Sequence, residues 1–110
     1  MLTKKDLIAI NQEFHNGKIV NESSLEFVLS QTYRSKYWFK TMCLLVRSIL
    51  IDHIFEDGNK RTAAMVIMVY LRTNNITFNP DKVTQIVLKI TKSNTHNLNK
   101  IGRLINHVRI

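Results

Sequence analysis

The chain has 110 residues, 45% of them hydrophobic and 22% charged, and carries a net charge of +8. That length supports one hydrophobic core without disulfide or metal staples, and the composition excludes a disordered, fibrous or low-complexity protein. The longest uninterrupted apolar run, Ala63 to Leu71, is nine residues, too short to cross a bilayer, so no membrane association is expected.

Thr3 followed by Asp6 has the spacing of a capping box, and Leu7, Ile10 and Phe14 then fall three and four apart. This predicts a first helix over about residues 4–16, ended by Gly17. Asn21 is a good cap for a short second helix through Leu29, with Leu25, Val28 and Leu29 on its inner side. Residues 30–36 (SQTYRSK) are polar and aromatic without helical period and read as a loop or small hairpin.

From Tyr37 to Asp52 the chain is apolar at helical spacing, with neither Gly nor Pro to interrupt it. The next helix, from about Asn59 to Thr73, is apolar nearly all the way round, which marks it as central. The single cysteine, Cys43, lies in an apolar stretch and has no intrachain partner, so it is expected to fill core space in a reducing, cytoplasmic setting.

Asn79-Pro80-Asp81 supplies a cap, a first-turn proline and an acid for a fifth helix whose inner face is Val83, Ile86, Val87 and Ile90. After a polar break at residues 93–97, a last helix over about 98–108 presents Leu98, Ile101, Leu104, Ile105 and Val108. Period-2 patterns are weak throughout. The expected class is all-α, a compact bundle of five to six helices in one domain over residues 1–110, with a small hairpin flap as an option. Residues 82–110 contain six Lys and Arg and no acid, a field that suits an anionic partner. They also contain no Phe, Trp or Tyr, so stacking on nucleic-acid bases is not expected.

The segment His53-Ile-Phe-Glu-Asp-Gly-Asn-Lys-Arg61 joins the two most buried helices. Gly58 permits a sharp turn, and the first amides of the helix behind it have no intrahelical partners, so they attract an anion. Lys60 and Arg61 add full positive charge at the same place, and arginine offers paired planar donors that fit phosphate. Asp57 has the chemistry to hold Mg2+ jointly with phosphate oxygens. His53 is placed to take a proton from an attacking hydroxyl, a task for which imidazole is suited near neutral pH. Phe55 would anchor the corner in the core. Singly, each residue also has a structural reading as cap, turn or solvated helix start; their conjunction within nine residues points to phosphoryl or nucleotidyl transfer.

His53, Phe55, Asp57, Gly58, Asn59, Lys60 and Arg61 match HxFx[DE]GN followed by Gly or Lys and then Arg, and so resemble the signature of the Fic/Doc superfamily. The wider stretch LLVRSILIDHIFEDGNKRTAAMVIMVYLRTNNI, residues 44–76, is similar to the helix, loop and helix at the centre of Doc toxins. The resemblance implies transfer of part of ATP to a Ser, Thr or Tyr hydroxyl of a target protein. It implies His53 as base, Asp57 as the Mg2+ ligand, and Gly58, Asn59 and Arg61 as the phosphate holders. Lys60 stands where the AMP-transferring Fic enzymes have a second glycine, and Ala64 where they have a second arginine. Both departures are Doc-like and favour a kinase, with elongation factor Tu as the kind of target, over an adenylyltransferase.

The inhibitory string [ST]xxxE[GN] of many Fic enzymes is missing, and no glutamate follows Glu56. A separate Phd-type antitoxin is therefore the inhibitor the resemblance implies. Residues 31–36 lie where the family has its target-docking flap. A non-catalytic basic binding module is the alternative from another class.

Overall fold

The computed structural model describes residues 2–110. Six helices follow in order: α1 Lys4–Gln12, α2 Glu22–Arg34, α3 Trp38–Ile51, α4 Asn59–Thr73, α5 Pro80–Lys92 and α6 Leu98–Asn106. No named strand is formed among the described residues; the only β contacts are two single bridges, Ile19 with Phe55 and Phe78 with Arg109. The expected all-α bundle is the architecture found.

α3 and α4 make the most extensive helix pair, with α2 and α6 laid on α3 and with α1 and α5 laid on α4. Met42, Leu45 and Val46 of α3 and Ala63, Val66, Ile67 and Leu71 of α4 are at most 1% exposed. Burying apolar side chains of this size is worth ~1.5–3 kcal/mol each, so the α3–α4 pair is the stable platform on which its connection rides. Val83, Ile86, Val87 and Ile90 line the inner face of α5 and Ile101, Leu104 and Ile105 that of α6, as the periodicity predicts. Cys43 fills core space too. Burial pushes its thiol up to about 12, so thiolate chemistry is closed to it at neutral pH.

Capping chemistry sets the boundaries. At α1 the Thr3 and Asp6 side chains each bond the other's backbone N–H, which holds the Asp6 carboxyl below its ordinary range. Asn21, Asn79 and Asn97 accept from Ser24, Asp81 and Lys100 N–H at the starts of α2, α5 and α6.

Two expectations need correction. α1 ends at Gln12, well before Gly17, because the Asn11 carbonyl accepts both Phe14 and His15 N–H and turns the chain there. The segment read as a loop or hairpin is instead the second half of α2, which runs to Arg34. Thr32, 1% exposed, extends the buried stripe of Leu25 and Val28, and its hydroxyl donates to the Leu29 carbonyl at 2.9 Å. That bond lets a polar residue occupy an apolar position, so the composition conceals the helical period. No hairpin flap forms in residues 31–36.

Candidate functional site

α3 ends at Ile51 with Asp52 as its cap, and His53 follows in the left-handed region at φ 51°. Two side chains hold this end: Ser48 Oγ donates to Asp52 Oδ2 at 3.1 Å and Asn21 Nδ2 to the Asp52 carbonyl at 2.8 Å. His53 itself stays exposed to solvent.

Ile54 and Phe55, at most 1% exposed, then drive the chain back into the core, which gives Phe55 the anchoring place expected of it. Residues 18–21 run antiparallel beside this turn. Val20 and Asn21 N–H donate to the Ile54 carbonyl, and Glu56 N–H donates to the Lys18 carbonyl. On its other edge the Phe55 backbone is satisfied by the Asn59 side chain, which accepts from Phe55 N–H at 3.0 Å and donates to its carbonyl at 2.8 Å. Asn59 thus spends its side-chain amide on bracing the corner. What it has left for an anion is its backbone N–H.

Gly58 is the N-cap of α4 at φ 77°, and its N–H donates to Asp57 Oδ1 at 2.7 Å. The first backbone bond of the helix is from Thr62 N–H to the Gly58 carbonyl. The amides of Asn59, Lys60 and Arg61 therefore lack intrahelical partners, and the positive end of the helix dipole faces outward at this point.

Beneath the turn lies Asn11, fully buried. Its Nδ2 donates to the Asp57 carbonyl at 2.9 Å and to Thr62 Oγ1 at 3.0 Å, while its Oδ1 accepts from Gly17 N–H at 2.9 Å. One side chain so ties α1, the loop after it, the corner and the first turn of α4. A methyl group at position 58 would sit 3.1 Å from Asn11 Nδ2, which has two bonds to keep. We expect Gly58→Ala to cost about 1–2 kcal/mol from the left-handed backbone alone, measured as a lowered midpoint in urea unfolding.

These elements enclose an open cleft of about 480 Å³, within the range of small-molecule sites. His53, Glu56, Asp57, Gly58, Asn59, Lys60 and Arg61 line it together, with Phe14, Leu50 and Thr91 as the remaining wall. Every residue expected to act on a substrate or cofactor is thus brought to one concavity, and Phe55 sits below it as a support. Sequence reasoning missed Asn11, the strand-like residues 18–21 and the three wall residues. Asn11 left one trace, since it falls four residues after Leu7 on the apolar side of α1.

At the lip, Glu56 Oε2 accepts from Asn16 Nδ2 at 3.2 Å and lies 3.4 Å from His15 Nε2. The hydrogen bonds from Asn16 and His15, with the charge of Lys18, hold its carboxyl below the ordinary glutamate value. A depressed folded-state value means that this contact is complete above the unfolded-state value and is lost as pH falls through the folded one. The Asn16 side-chain amide resonances should therefore shift in an NMR titration only at acid pH, below the range of free glutamate.

Neither a family model nor a curated protein matches the chain.

Proposed function

We propose that the chain is an ATP-dependent transferase that modifies a hydroxyl group of a target protein. Within that class, the Lys60 and Ala64 departures favour the Doc-like reaction, transfer of the γ-phosphoryl group, over transfer of AMP. The observation that carries the reading is that an exposed imidazole, the partnerless amides of a helix start, two cationic side chains and one carboxylate all open onto the same cleft.

The chemistry follows from those groups. The amides of residues 59–61 and the side chains of Lys60 and Arg61 bind and orient the triphosphate. His53 takes the proton of the target hydroxyl as its oxygen bonds to the γ-phosphorus. The bond from that phosphorus to the bridging oxygen breaks, and ADP departs with the electron pair. Positioning and charge stabilisation carry most of such a reaction, and no covalent enzyme intermediate is needed.

Among the described residues no cluster of three acidic, His or Cys side chains is placed to hold a metal ion. Mg2+ fits this site in a different manner, through the exposed Asp57 carboxylate, one of whose oxygens is taken by Gly58 N–H, together with phosphate oxygens. When bound it would neutralise charge gathering on the leaving phosphates.

The test is incubation with Mg2+, a cell extract and ATP labelled at either the γ or the α phosphate. Label passing to a protein from the γ position alone supports the kinase reading; label from the α position moves the assignment to AMP transfer. If neither label is incorporated, and a His53→Asn variant is indistinguishable from the parent, the enzyme reading is lost. The remaining explanation would then be a basic binding module, recognised by affinity for an anionic partner that falls steeply with salt.

A further inference from the structure

α2, like α1, packs extensively against one helix only, which for α2 is α3. Its outward side does not look like an ordinary solvated face. Phe27 is 66% exposed, Tyr33 72% and, just past the helix, Tyr37 74%; no other aromatic residue among those described is so open to solvent. Exposed aromatics gathered on one element mark contact surfaces rather than solvated ones.

Their arrangement says what they fit. Opposite the buried Leu25, Val28 and Thr32, the sequence Glu26-Phe27-Val28-Leu29-Ser30-Gln31-Thr32-Tyr33-Arg34 is organised about Ser30. Phe27 and Tyr33 stand three residues to either side of it, and Glu26 and Arg34 four to either side, so all five share one helix face. The small Ser30 side chain folds back onto its own helix, donating to the Phe27 carbonyl at 2.6 Å, which leaves the centre of the face low. Among the described residues neither Glu26 nor Arg34 has an ion-pair partner, whereas Glu22 is already paired with Lys4.

We propose that this face binds a second copy of the chain, α2 against α2 in antiparallel sense, with the two-fold axis at Ser30. That operation brings Phe27 of one copy to Tyr33 of the other and Glu26 to Arg34, each contact made twice. A two-fold interface must be complementary to itself, and a face with aromatics and opposite charges mirrored about a small residue meets that condition. A single helix face with the adjoining Tyr37 is a small interface, so the dimer forms reversibly with concentration.

Sedimentation equilibrium over a broad range of chain concentration tests this, using two charge reversals, Glu26→Arg and Arg34→Glu. The parent chain should double its mass as concentration rises. Each variant alone should stay monomeric, since it sets like charges opposite each other twice. Mixed in equal amounts, the two variants should recover the doubled mass, because every facing pair is again opposite in sign. Both positions are on the surface, so circular dichroism should report an unchanged fold. A parent chain that remains monomeric at the highest concentration overturns the proposal, as does a mixture no heavier than its components. Binding of the monomeric chain to vesicles of anionic lipid would in that case assign the face to a membrane surface.

Discussion

His53→Asn is expected to lower transfer to the target by about 10²–10⁴-fold, the usual contribution of a general base, with thermal unfolding nearly unchanged. Asparagine is the informative replacement for two reasons. Residue 53 lies in the left-handed region at φ 51°, which asparagine tolerates better than alanine or a branched residue. The imidazole is also exposed and makes no hydrogen bond within the described chain, so removing it leaves no buried group unpaired. A large loss of transfer without loss of stability is the signature of a residue that acts on substrate. A parallel fall in both would make His53 a part of the corner's structure and would sink the assignment of the base.

Asn11→Leu should show the opposite pattern, a loss of stability first and of activity as its consequence. The change keeps the branched shape and the number of heavy atoms but strips partners from the Asp57 carbonyl, the Thr62 hydroxyl and the Gly17 N–H, around a side chain that is fully buried. An orphaned polar group in such a place costs ~1–3 kcal/mol. With three affected, some of them able to reach water after a small shift, a total of roughly 3 kcal/mol and a drop in Tm of at least about 10 °C are expected. Calorimetry measures the stability term. Binding of an ATP analogue, followed below the new Tm, separates it from the geometric one: the floor of the cleft hangs from the Asp57 carbonyl, so affinity should weaken even in the folded variant. Unchanged stability would mean that the corner is held by the Phe55–Asn59 brace alone.

These two residues also mark the limits of inference from sequence. The gathering of these side chains at one corner was readable because it is local. His53, Asp57, Gly58, Lys60 and Arg61 are near neighbours in the chain, and a turn followed by a helix start converges them whatever surrounds it. Asn11 could not be found that way, since its bonds to the corner span 46 and 51 positions. Asn59 illustrates a subtler loss. Its place in the motif was evident, but the hydrogen bonds that commit its side chain to Phe55 depend on how tightly the loop closes.

Periodicity and caps alone determined the all-α class, the exact span of α4 and the inner faces of α5 and α6, because burial of an apolar stripe and satisfaction of terminal amides act within one or two turns. The extent of α2 escaped the same method, since a threonine in the sequence does not announce that it is buried, as Thr32 is, on the inner side of a helix. Tertiary structure decided the rest: the wall that Phe14, Leu50 and Thr91 add from separate elements, the antiparallel strip beside Ile54 and Phe55, and the open side of α2. A cleft and an uncovered face are properties of the space between elements, and that space is set by packing between residues too far apart in the chain for any local pattern to connect them.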